Sequence, residues 1–513
     1  MESELNASED EAGAVAEAPD LGRRAFGGAL WIVGQTLGSK VAAVAAQLIL
    51  AALLSKRDFG EMAEITLIVS LVGLSQQMGV GEILVQRHRN FRHWVNIAFW
   101  LNLTFGCIGA AGVAGMGLFT PLFFKDAPDL PLMLVVAAIA LPFDAMTVIA
   151  QAKLRSDLHF RSVALINMGN VVGTAILSVG FAATRLIWPH SPVGGAMSLV
   201  LPRPLMSAAM MAASFRVSRL RIKMRPMVRR WVFVLRDARY FYIMTLFNTL
   251  LGNGDYLLVG LFFTTEQLGA YYFAFNLSLQ TVQLVAGNFS SVLLPSFAKL
   301  DRDRARQTAA YLRVCSMIML VGVILCVMQG VAGGPLLHMV YKAKWNEAIP
   351  LFETLTAGMI FILPNTAVTT LLQAQARYRT SMIWSMVMAA FFLLSVSFGV
   401  MSGRTEGVAI ADVIFFAIFG VLNVMVPFGF TWQQFSEVIR RVYLFPVLAG
   451  GGACAMAVGV FMACGGLPEP VRTVAALVAA VGVYAVAILA FRHEDVKELM
   501  ERLRPVLNRF RKE

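Results

Sequence analysis

Long apolar runs, repeated from one end of the chain to the other, constrain it more than any other feature. A helix needs about twenty apolar residues to cross the hydrocarbon of a bilayer, and a window of that length finds fourteen candidates, at roughly residues 26–54, 62–86, 94–124, 130–151, 162–187, 193–215, 240–263, 268–298, 310–340, 349–373, 381–402, 407–430, 442–464 and 471–491. Strands of a membrane barrel alternate apolar and polar residues; these runs are continuous, so they read as helices. With 58% hydrophobic and only 14% charged residues, the chain cannot present the polar surface of a soluble domain this large. The expected fold is all-α and polytopic.

One interruption anchors the topology. Residues 216–239 read RVSRLRIKMRPMVRRWVFVLRDAR, with nine Lys/Arg against Asp237 alone. Such a segment cannot lie in hydrocarbon, and the positive-inside rule puts it on the cytoplasmic face. An even number of spans then puts both termini there. On that assignment 33 of the 43 Lys/Arg fall in cytoplasmic segments and 8 in outer loops, with Lys40 and Arg203 inside spans. The bias alternates loop by loop, as the rule requires.

The halves on either side of this segment look like copies. Pro142 to Arg155 and Pro364 to Arg377 both fit P-x-x-A-x-T-x-x-x-Q-A-x-x-R, at the end of the fourth and tenth spans. A second match joins Ser55–Gly60 to Thr264–Gly269, each the outer turn of a first helical hairpin. The expected organisation is an acidic disordered cytoplasmic tail (1–22), a six-span lobe (23–215), the basic connector (216–239), a second six-span lobe (240–430), two added spans (431–491) and a cytoplasmic amphipathic tail (492–513). Parallel repeats of this kind are a mark of secondary transporters, which rock two lobes about a central site.

A charge at the bilayer centre costs on the order of 2.5–3.5 kcal/mol, so it calls for a partner or a function. The candidates are Lys40, Asp144, Arg203, Asp255 and Asp412, with Glu82 and Glu353 nearer span ends. Helical spacing gathers polar residues into stripes: Thr36, Lys40 and Gln47; Asn167, Asn170, Thr174 and Ser178; Thr245, Asn248, Gly252 and Asp255; Asn276, Gln280, Gln283 and Gly287. Such stripes avoid lipid. They serve either as glue between helices or as the wall of a hydrated chamber. In a chamber, Lys40 and Arg203 would attract an anion, and Asn248, Asp255, Asn276, Gln280 and Gln283 would suit sugar hydroxyls. Asp144, Asp255 and Asp412 are candidates for proton or sodium coupling, and Asp255 equally for a counter-ion. Pro202 and Pro204 flank Arg203 and predict a break in the sixth span.

Several classes are disfavoured. No G-x-x-x-x-G-K-[ST] loop is present. Cys107, Cys315, Cys326, Cys454 and Cys464 lie in apolar runs without ligand spacing, which suggests packing and no metal site. Nothing calls for a cofactor or a catalytic group, and the net charge of +12 belongs to loops facing anionic lipid, not to nucleic acid. A membrane glycan polymerase would need a large outer loop with catalytic Arg or His.

A set of segments is also familiar. Gly28-Ala-Leu-Trp31, Leu54 through Asp58-Phe59-Gly60, Gly79 to Gln86, and Ala98-Phe-Trp100-Leu-Asn102 resemble the first half of the polysaccharide-transporter family of Wzx-type flippases, nearest its colanic-acid-exporter-like branch. Asp255 to Gly260, Leu268-Gly-Ala-Tyr-Tyr272 with Ala274, Leu294-Pro-Ser-Phe297, and Trp345 to Pro350 resemble its second half. The resemblance implies a fourteen-helix fold of the MATE/MOP type. It further implies alternating-access transport of an undecaprenyl-pyrophosphate-linked oligosaccharide across the bacterial inner membrane, in exopolysaccharide or O-antigen assembly. Membrane lipids, a coupling cation and a polymerase of the same pathway would be the partners. The rival within the superfamily is a cation-coupled drug or metabolite exporter. Ala52 stands where the family carries a basic residue, and only Asp255 sits in a matching motif.

Overall fold

A computed structural model describes residues 34–73, 91–120, 129–157, 159–188, 191–223, 226–286, 293, 297, 300 and 303–491. The two expected tails, Glu82, Gly287 and the Gly79–Gln86 segment lie outside the described residues.

The described chain is helical, and a helix stands at each of the fourteen apolar runs. They are α1 (Gly34–Leu53), α2 (Lys56–Val72), α3 (Phe91–Met116), α4 (Leu130–Ser156), α5 (Phe160–Ile187), α6 (Pro202–Ser218), α7 (Trp231–Phe262), α8 (Thr265–Ala286), α9 (Arg304–Tyr341), α10 (Ala348–Ala374), α11 (Tyr378–Val400), α12 (Thr405–Met425), α13 (Trp432–Ala463) and α14 (Glu469–Phe491). Ten of them are long and apolar enough to cross a membrane. The other four are α2, α6, α7 and α8: the first two are short as described, and the last two carry basic or amide residues. The protein is an all-α, multi-pass membrane protein.

Some ends differ from expectation for local reasons. Helix α2 starts at Lys56, six residues before the apolar run, because Ser55 caps it. The Ser55 hydroxyl accepts the Asp58 N–H, and the Asp58 carboxylate accepts the Ser55 N–H. Helix α7 starts at Trp231, so the end of the basic connector is already helical. The break beside Arg203 is present. A single turn, Met197–Val200, precedes α6, whose first turn takes both Pro202 and Pro204 where a missing N–H costs nothing.

The repeated motif is repeated in structure. Pro142 lies inside α4, and Pro364 lies where α10 divides into Ala348–Ile362 and Asn365–Ala374. One turn later the equivalent threonines bond back to the carbonyl four residues before: Thr147 to Phe143 at 2.8 Å and Thr369 to Asn365 at 3.1 Å.

The chain forms two compact units: residues 1–272 with 376–400, and residues 273–375 with 401–513. In the first, α2, α3 and α4 share a core of Ile65, Val69, Val113, Leu134 and Leu141, and α11 packs along α7. Gly106 of α3 lets that helix close on Ala145 of α4, the use of small residues expected where lipid is as apolar as the core. In the second, α9, α10 and α12 pack together, with α13 and α14 against α9. The largest fully buried side chain among its described residues, Trp345, packs on Phe273 with ring centroids 4.3 Å apart and ring planes tilted by 33°.

Candidate functional site

One end of the first unit is held by Asp58. Its carboxylate accepts hydrogen bonds from the Ser55 hydroxyl at 2.7 Å, from Arg185 of α5 at 3.0 Å, and from the Ala196 N–H at 2.9 Å. One buried carboxylate thus ties the α1–α2 turn to α5 and to the segment entering α6. Sequence reasoning passed over Asp58 and Arg185; the S-x-x-D capping pattern was the signal available.

Beside this clasp the two repeat-related turns meet. Gly60 of α2 lies against the Thr265 carbonyl of α8, and Gly269 of α8 lies against the Lys56 carbonyl of α2. A methyl group on either glycine would overlap the opposing backbone. The Thr265 hydroxyl donates to Glu64 at 3.3 Å, and both residues are buried.

Deeper in the same unit, Asp144 of α4 accepts a hydrogen bond from Ser207 of α6 and lies in the field of Arg203. Arg203 also acts on Tyr272, whose hydroxyl bonds Thr66. A cation in the first turn of a helix opposes the helix dipole, and the Asp144 carboxylate acts on Arg203 in the opposite sense. Asp255 is fully enclosed (0% exposed). Its Oδ2 accepts the Tyr271 hydroxyl at 3.0 Å, its Oδ1 has no hydrogen-bond partner among the described residues, and Tyr256 lies edge-on to Tyr271.

Other candidates separate. Lys40 is half-buried on α1. Asn248 and Gly252 are exposed on α7, where Asn248 accepts the Ser385 hydroxyl of α11 at 3.0 Å. The α5 amides act as glue: Gln151 of α4 donates to Asn167 at 2.8 Å, and Asn170 meets Met210 of α6. Asn276, Gln280 and Gln283 belong to the second unit and are half-buried. Gln280 donates to the Asn276 carbonyl at 3.1 Å, and its own carbonyl oxygen has no partner among the described residues. Next to them Thr281 donates to Gln329, which donates to the Leu277 carbonyl at 2.6 Å. Asp412, also in the second unit, is enclosed within α12 (0% exposed).

The sequence pattern of the polysaccharide biosynthesis protein family matches residues 49–350, more than half the chain. The chain belongs to this family. It is 24% identical over 364 residues to the teichuronic acid biosynthesis protein TuaB of Bacillus subtilis, covering 68% of this chain and 70% of that one. It is 21% identical over 398 residues to the lipopolysaccharide biosynthesis protein WzxC of Escherichia coli, covering 74% and 75%. Its fold superimposes on the lipid II flippase MurJ in an inward closed conformation with a TM-score of 0.70 and 14% identity, over 91% of this chain and 100% of that one. The family member thus has the helical, multi-span architecture its apolar runs led one to expect.

Proposed function

We propose that this protein carries a lipid-linked oligosaccharide across the bacterial cytoplasmic membrane by alternating access, acting as a transporter and not as an enzyme. The observation that carries this reading is the family match, which runs from the first half of the duplication into the second. Relatives named for teichuronic acid and lipopolysaccharide biosynthesis, and a fold shared with a protein named as a lipid II flippase, support it. The physical requirement is a polar path through oil, and the charges retained inside apolar helices supply its elements.

In this reading the six-span halves act as two lobes, and both termini face the cytoplasm as the loop charges demand. Lys40 and Arg203 attract the pyrophosphate, while Asn248, Asn276, Gln280 and Gln283 offer amides to sugar hydroxyls. Asp255, Asp144 and Asp412 are the carboxylates available for proton or sodium coupling. The reciprocal packing of Gly60 and Gly269 is the contact that must part for release to the outer side, and a polymerase of the same pathway would then take the product.

Deletion of the gene is expected to make a lipid-linked glycan accumulate on the cytoplasmic side, detected by mass spectrometry of extracted lipids. Complementation with Lys40→Gln, Arg203→Gln and Asp255→Asn is expected to leave the accumulation in place at normal protein levels. Full export by all three variants would refute the site, and absence of any accumulating glycan lipid in the deletion strain would refute the function.

A further inference from the structure

The second unit contains a cleft that the transport reading does not use. It has a volume of about 540 Å³ and lies between α9 and α14. One end carries Arg313 of α9 and Arg441 of α13; the walls are apolar, with Leu320 and Ile324 facing Val481 and Ile488. Arg441 sits on a π-helical segment, Ile439–Leu444, whose wider turn interrupts the start of α13. It pairs with Glu437 at 3.2 Å, and both side chains stay about half exposed (59% and 44%). The Tyr484 hydroxyl at the floor donates to the Leu320 carbonyl at 2.8 Å, so it presents its ring and not a polar group to the space.

An apolar slot between two membrane helices is filled by apolar matter, since water gains nothing there and an empty slot forfeits dispersion contacts. Two guanidinium groups at one mouth add a demand for an anion, and their planar donor forks suit phosphate oxygens. From Arg313 to Leu325 the lining of α9 extends about 18 Å at 1.5 Å per residue, close to the ~15 Å half-thickness of a bilayer's hydrocarbon. That is the reach of one acyl chain within one leaflet; a long polyisoprenyl tail would overrun it.

We propose that this cleft is a binding site for an anionic phospholipid, with one acyl chain between α9 and α14 and its phosphate between Arg313 and Arg441. The site is separate from the transport path and adds a lipid to the direct packing of α13 and α14 on α9. Basic mouths between membrane helices recognise anionic headgroups by this combination of charge and depth.

The test uses the full-length protein purified into nanodiscs of phosphatidylcholine containing a minor fraction of phosphatidylglycerol. Native mass spectrometry is expected to show one retained phosphatidylglycerol per chain, favoured about tenfold over phosphatidylcholine. Arg313→Gln with Arg441→Gln is expected to abolish that preference, and Glu437→Gln to strengthen it by removing a competing carboxylate. Ala485→Trp, which fills the cleft without altering charge, is expected to lose the retained lipid while the protein stays folded by circular dichroism. Equal retention of the two lipids by the native protein would overturn the proposal. So would undiminished phosphatidylglycerol retention in the double variant, or displacement of phosphatidylglycerol by equimolar undecaprenyl phosphate. None of these readouts depends on transport, so they stand apart from the fate of the proposed function.

Discussion

Gly60 and Gly269 occupy the same position in the two halves of the chain, and each lies against the first turn of the other's helix. Related turns thus pack reciprocally, at a distance only glycine permits. Gly60→Val or Gly269→Val is expected to force the helices apart at a cost of about 1–3 kcal/mol, raising the opened population roughly tenfold for each 1.4 kcal/mol. A cysteine at Thr265, buried in the native packing, reports this through labelling by a membrane-impermeant maleimide. Unchanged labelling in both valine variants would show that the contact is incidental to opening.

Asp58→Ala removes a helix cap, an ion pair with Arg185 and an acceptor for the Ala196 N–H together. The expected loss is about 2–3 kcal/mol, since a cap is worth ~1 and a charged hydrogen bond ~1.5–3. Arg185→Ala should lose only about 1 kcal/mol, because that side chain is 38% exposed and water replaces part of the pair. Thermal unfolding in detergent ranks the two, and equal losses would place the cost in the ion pair alone.

Asp144 lies in the field of Arg203 within the first unit. Asp144→Asn is therefore expected to reduce export about tenfold, and the double variant with Arg203→Gln to be no worse than either single, as coupled partners behave. Accumulated lipid-linked glycan, measured against protein level, checks this. Strictly additive losses would mean the two residues act independently.

Trp345 is fully enclosed beside Phe273 and Tyr341. Trp345→Ala should cost about 3–5 kcal/mol, and adding Phe273→Ala should cost less than the sum, since both open the same cavity. Thermal unfolding of the two singles and the double decides it. Additive losses would show that the rings do not share a packing site.

The sequence by itself determined that this chain is a bundle of membrane-crossing helices, because runs of Leu, Val and Ala long enough to span hydrocarbon leave the backbone no other way to satisfy its hydrogen bonds. It showed the motif shared by Pro142–Arg155 and Pro364–Arg377, and the structure places Thr147 and Thr369 alike, each bonded back to the carbonyl four residues before. It marked Arg203 by its prolines. What it could not assign were partners. Which carboxylate lies in the field of Arg203, that Asp58 clasps Arg185 across 127 positions of chain, and that Asn167 is spent on Gln151 while Gln280 keeps an oxygen with no partner among the described residues all depend on which helix faces lie together. That choice rests on the fit of side chains between helices distant in sequence, and periodicity along one helix carries no record of it. Only the tertiary structure decided these pairings, and with them which intramembrane polar groups are bound up in packing.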